Sequence, residues 1–225
     1  VTTIRTVGGL DTFDTRLRDE IRAGRRIGPR VLAANEAISV PGGHMAGSVA
    51  IAARTVDEAL AQVDAVHAQG ADLVKLMITG GVMDATERGM PGEVKMPAEM
   101  VRAVCERAHA LGIPVVLGND TSCQWVAQYD FWRELCYFHE YAGASNACAL
   151  YCATGQSARM AGLGDVTGTL RPGLCADMLV TSENPLADLR ALRTLDMVVA
   201  RGRIIDRPRP KRSARLDAGL DTLLA

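Results

Sequence analysis

Lys75 is the residue in this chain whose setting most calls for chemistry. It stands inside an apolar run, Leu73, Val74, Leu76, Met77 and Ile78, with Gly80-Gly81 directly after it. Helix-like sequence ending in Gly70 comes before. Such a run, entered from a helix and left through glycines, reads as a buried parallel strand. A lysine there is costly unless it is paired, neutralised or modified. It is either a functional amine at a strand end, where α/β barrels and open α/β sheets carry active sites, or a side chain that snorkels to water. Asp120 follows a second apolar stretch, residues 113–117, within Gly118-Asn119-Asp120-Thr121. Taken alone it reads as a helix N-cap beside Thr121 and Ser122. His44 sits in the loop Val40-Pro-Gly-Gly-His-Met-Ala-Gly47. There it is either a surface group or, because βα loops supply active-site groups, a substrate-side residue.

The remaining reactive side chains carry weaker signals. His67 and His109 fall near helix C-termini, where a cation is favourable in any case. His139 falls on the helix expected after Asp120. Cys105, Cys123, Cys136, Cys148, Cys152 and Cys175 show no Cys-x-x-Cys spacing. That pattern predicts reduced, unpaired thiols in a cytoplasmic chain rather than a disulfide framework or zinc knot. Cys148 and Cys152, four apart, suit a buried helical face.

The elements that must position these residues alternate. Residues 1–7 read as a strand ending at Gly8-Gly9, and a helix runs from Asp11 or Thr12 to Ala23. Residues 30–34 form a strand, and Thr55 with Glu58 is a capping box opening a helix to Gln69. Pro97 opens a helix that ends at Gly112, and residues 113–117 form a strand. Residues 125–141 are helical, their aromatics lacking the interleaved basic residues of a nucleic-acid platform. Ser145 caps a helix reaching Met160. Residues 178–181 and 197–200 are short strands, and the basic tail from Arg201 reads as a solvated terminus. Repeated strand–helix alternation predicts a parallel α/β protein.

Composition bounds the function classes. The chain has 225 residues, 48% of them hydrophobic, and a net charge of −1, enough for one sizeable core. That balance offers no electrostatic case for nucleic acid or an anionic membrane. No apolar run reaches transmembrane length, and no signal peptide stands at the start.

Residues 153–186 include Gly168-Thr-Leu-Arg-Pro-Gly-Leu-Cys-Ala-Asp177 and Asn184-Pro185-Leu186. This resembles the C-terminal signature of the amidohydrolase superfamily, where the last barrel helix leads into a small β-sandwich. Thr3-Ile4-Arg5, Gly28-Pro29-Arg30-Val31-Leu32 and Gly42-Gly43-His44 resemble its imidazolonepropionase-like and prolidase-like branch. Val74-Lys75-Leu76 with Thr79-Gly80-Gly81 is similar to that branch's fourth barrel strand. Leu117 to Thr121 is similar to its eighth. The resemblance implies a TIM-barrel-type (β/α)8 fold and a metal-dependent hydrolase cleaving C–N bonds of a small amide or dipeptide-like substrate. It implies a carboxylated Lys75 bridging two divalent ions, usually zinc, and Asp120 as both metal ligand and general base. Carboxylation would turn a buried cation into an anionic oxygen ligand. Two metals would acidify a shared water and polarise a carbonyl.

The sequence also departs from that family. The branch needs a His-x-His pair on its first strand and single histidines on its fifth and sixth. None of the four histidines here stands at such a position. The chain starts after the expected first strand, and at Ile113-Pro114-Val115 it passes from the lead-in to strand five into strand eight. The expectation is an incomplete barrel over residues 1–165 and a β-sandwich remnant over residues 166–225. Its open edges call for cover by a second copy, by rearranged segments or by missing chain, and a homo-oligomer is expected. Metal held weakly and poor catalysis follow, because catalytic zinc usually needs three protein ligands. A non-catalytic remnant and a metal-free enzyme using Lys75 as a Schiff-base amine are the alternatives.

Overall fold

In the computed structural model, residues 3–81, 93–118 and 126–224 are described. The chain divides into two compact units, Val1–Pro114 and Val115–Ala225. The division falls after Pro114.

The first unit is built from strands β1 (Thr3–Arg5), β2 (Arg30–Leu32), β3 (Ala37–Ser39) and β4 (Ala50–Ala52), and from helices α1 (Phe13–Arg22), α2 (Val56–Ala68) and α3 (Ala98–Ala110). β1 pairs with β2 and β3 with β4, both in parallel. The cap at α2 is present in modified form: Thr55 Oγ1 accepts from the Glu58 N–H at 3.2 Å, while the Glu58 carboxylate accepts from the N–H of Arg54, one residue before the N-cap, at 2.7 Å. α3 starts one residue after Pro97 and turns out at Gly112, whose φ is +77°. The apolar face of α2 puts Val63 and Val66 in the core, and α3 adds Val101 and Val104. Across these two helices Arg107 meets Asp64 at 2.7 Å.

A buried polar network pins α1 to the strands. Arg18 donates to Asp72 at 2.8 Å and to the Gly70 carbonyl at 2.7 Å, and the Ala33 N–H donates to the same Asp72 oxygen. Asn35, fully buried in a left-handed conformation, bonds Thr15 and Gln69. Each buried donor here has its acceptor, as burial demands.

The second unit begins with α4 (Phe131–Ala142), then α5 (Asn146–Tyr151), a wide helical turn over Cys152–Gln156, and α6 (Ser157–Met160). Ser145 caps α5 through the Cys148 N–H. Trp132, Leu135, Cys136, Ala149 and Leu189 make the core. Burial pushes the Cys136 thiol up to about 11 and the Tyr137 hydroxyl up to about 12. Strands β5 (Met178–Val180), β6 (Met197–Ala200) and β7 (Arg203–Asp206) form an antiparallel meander.

The signature residues are structural in this unit. A Cβ on Gly168, φ +90°, would come within 2.4 Å of the Ala158 side chain. Asp177 accepts from Thr167 and from the Arg201 N–H, both at 2.7 Å, which secures the β6–β7 turn. Those bonds, the backbone one first, hold its carboxyl below the usual range.

Several expectations are corrected. α4 starts at Phe131, with residues 126–130 outside any helix. Residues 113–118 pair with no strand among the described residues. The basic tail is largely exposed, as expected, but it is folded: it supplies β7 and a further helix, α7 (Ala214–Asp221). Arg212 meets Asp217 at 3.2 Å and Asp130 at 3.5 Å. Composition hid these elements because one contact that anchors them, Arg212 with Asp130, joins residues distant in sequence. β3 and β4, three residues each, are too short to leave a periodicity. The described strands make two parallel pairs and one antiparallel meander, and no closed barrel is among them. Cys105, Cys136, Cys148, Cys152 and Cys175 form no disulfide among the described residues; Cys123 lies outside them. No described helix is long and apolar enough to cross a membrane.

Candidate active site

The Lys75 segment lies beside β3. The Ile38 N–H donates to the Lys75 carbonyl, and the Met77 N–H donates to the Ile38 carbonyl, each at 2.9 Å. This is a single parallel bridge, Ile38 opposite Leu76. The expected strand is therefore extended and parallel, but paired over one register position only. Lys75 is half-buried, while Leu73 and Met77, two residues to either side, are buried.

The register sorts the faces. With Ile38 opposite Leu76, Ala37 stands opposite Lys75 and Ser39 opposite Met77, and alternation puts these four on one face. β4 adds Ala50 and Ala52, paired with Ala37 and Ser39. Ala37, Ala50 and Met77 pack together. Lys75 thus shares its face with small side chains and with one hydroxyl. Ser39 is fully buried, and its Oγ has no hydrogen-bond partner among the described residues.

His44 lies where the sequence placed it, in the loop after the strand. The Gly43 N–H closes a turn on the Val40 carbonyl at 2.8 Å, and the His44 N–H reaches the Thr79 carbonyl at 3.4 Å. That bond joins the loop after β3 to the end of the Lys75 segment, so both loops leave the same carboxyl edge. A Cβ on Gly43 would stand 2.6 Å from Ser39 Oγ, so the glycine lets the loop close over the hydroxyl. Beyond Gly81 the chain returns at Glu93, where Thr79 faces Val94 in an antiparallel bridge and Lys95 pairs with Glu93 at 2.5 Å.

Asp120 lies outside the described residues, and it belongs to the second unit. The pairing of Lys75 with Asp120 therefore finds no geometry here. His67 and His109 are exposed on the last turns of α2 and α3, and His139 on that of α4, its Nδ1 2.7 Å from the Ala144 carbonyl oxygen. Among the described residues, no group of three His, Cys, Asp or Glu side chains could hold a metal ion. Among the described residues, β3 and β4 contribute alanines and a serine to the sheet face that carries Lys75, a donor set that does not fit a two-metal centre.

Ser39 is the residue that sequence reasoning missed. Its only signal was position: the last residue before Val40-Pro41, at the end of a trio too short to be recognised as a strand.

No family model matches the chain. No curated protein matches it either. Among solved structures, a candidate prolidase from Bifidobacterium longum is 30% identical. That match covers 100% of this chain and 78% of the other, with a TM-score of 0.51. An amidohydrolase structure, 19% identical, is matched over 92% of this chain and 76% of its own, with a TM-score of 0.50. The second likeness concerns the fold.

Proposed function

The chain belongs to the amidohydrolase superfamily, on its prolidase-like side, and from that premise we propose that it is a hydrolase-type protein for C–N bonds of a small amide or dipeptide-like substrate. The observation that carries the reading is the 30% identity to a candidate prolidase across the whole of this chain. The His44 loop and the Lys75 segment, leaving one carboxyl edge together, support it, because parallel α/β folds gather active-site groups there.

Within this reading the strands are part of a (β/α)8 arrangement. Lys75 is the residue for carboxylation, Asp120 the general base and His44 a substrate contact. The family's zinc would lower the pKa of a bound water and polarise the carbonyl. Among the described residues no group of three donors could hold it, and the sequence has four histidines, none in His-x-His spacing. The 225 residues on their own therefore hold metal weakly and turn over slowly.

Purified residues 1–225 should carry well under one zinc per chain and hydrolyse dipeptides and acyl-amino acids only slowly. Two tightly bound metals with turnover in the ordinary enzyme range, ~1–10³ per second, would overturn the impairment. A second reading is a non-catalytic chain with the family's fold, in keeping with the lack of a three-donor group among the described residues. It predicts no turnover even at saturating zinc and bicarbonate.

A further inference from the structure

We propose that α7 is an electrostatic strap: it is held on α4 by ion pairs more than by apolar packing, and it undocks and melts as one piece while the rest of its unit stays folded. The helix has 8 residues and carries Gly219 in its interior. An isolated helix that short is not stable in water, so α7 is helical only while docked. Within it only Leu220 is buried. Its charged contacts are more numerous. Asp217 and Asp221, four apart, share one face. Arg133 of α4 reaches them at 3.8 and 2.8 Å. Arg193 bonds Asp221 twice, at 3.1 and 3.0 Å. Arg212, just before the helix, meets Asp217 and Asp130, and the Ser213 N–H donates to the Tyr129 hydroxyl at 2.8 Å. Two features let the strap leave alone. Residues 207–213, with Pro208 and Pro210, form no helix or strand. Arg133 keeps Asp130, the residue that starts its own helix, at 3.5 Å, so undocking does not leave that cation bare. Undocking opens the cavity of about 290 Å³ that Asp221 lines with Trp132, Arg190, Arg193 and Leu224.

The inference rests on ion-pair geometry, not on the hydrolytic reading, and its test reads amide hydrogen exchange of the full chain rather than turnover. Raising NaCl from about 0.1 M to about 1 M shortens the screening length from about 10 Å to about 3 Å. The Arg193–Asp221 pair is partly exposed on both sides and is screened. Exchange followed by peptide mass spectrometry reports local opening. Residues 214–221 should exchange about threefold faster at the higher salt, the weight of a weakened surface pair. Helix α3, packed through Met100, Val101, Val104 and Ala108, is the internal reference, and α4 should follow α3 rather than α7. Asp221→Asn keeps the shape and removes the charge. It should speed α7 exchange about fivefold at the lower salt and shrink its salt response. Salt-independent exchange in α7, or a rise shared equally by α4, would overturn the proposal. So would an Asp221→Asn chain that keeps the parent's exchange rates.

Discussion

A buried and a half-buried cation in this protein have been settled in opposite ways. In the second unit, Arg133 is 3% exposed and has three aspartates around it: Asp130 at 3.5 Å, Asp221 at 2.8 Å and Asp217 at 3.8 Å. Trp132 lies between the guanidinium groups of Arg133 and Arg193, at 4.5 and 5.5 Å from its ring centroid. In the first unit, Lys75 stands on a face of alanines with one hydroxyl and no paired carboxylate among the described residues. The arginine is compensated in charge, though its buried nitrogens lack hydrogen bonds of ordinary geometry among the described residues, and it ties α4 to α7. The lysine has been left available. A cation placed among matching charges consolidates a core, whereas one held among small neutral groups keeps its reactivity.

The largest effect expected from breaking that contrast is at Arg133. Arg133→Ala removes one of the two arginines beside the buried Asp130 and Asp217, leaving Arg212, and should cost about 3 kcal/mol, seen as a large fall in urea midpoint. Lys75→Met should change the midpoint by less than about 1 kcal/mol, since it replaces a half-buried amine by a side chain of similar length. Comparable losses at the two positions would erase the distinction.

At about 2 kcal/mol comes Asp72→Ala, which removes the acceptor shared by Arg18 and the Ala33 N–H. Its effect sharpens the comparison, because it shows whether the first unit's own buried arginine follows the rule of Arg133.

A smaller effect concerns pH. Burial pushes the Asp130 carboxyl above its ordinary range, against the pull of Arg133. A carboxyl raised in the folded state binds its proton more tightly folded than unfolded. Its contribution to stability therefore falls as pH rises through and above the ordinary carboxylate range, near 4. The stability of the parent minus that of Asp130→Asn should decline from pH 4 to pH 7 in urea titrations. A flat or rising difference would mean that Arg133 and Arg212 fully compensate the burial.

Smallest is Ser145→Ala, which removes the cap on the Cys148 N–H and should cost about 1 kcal/mol in thermal or urea unfolding.

The sequence by itself determined the family resemblance, the capped helices and the location of Lys75 in an extended apolar run. Each of these is written locally: a Thr-x-x-Glu box, a glycine after a helix, an apolar run with one charge. Asp177 and Gly168 were visible too, as letters of a signature, though their work in the β6–β7 turn and against Ala158 was not. Only the tertiary structure decided that the basic tail folds back, because Arg212 and Asp221 find their partners in residues some 80 positions away. It alone brought Ser39 onto the face of Lys75, since that placement depends on a register between segments 36 residues apart. Hydrogen bonds inside a helix connect near neighbours and so leave a periodic trace. A strand register and a buried ion pair join distant residues and leave none.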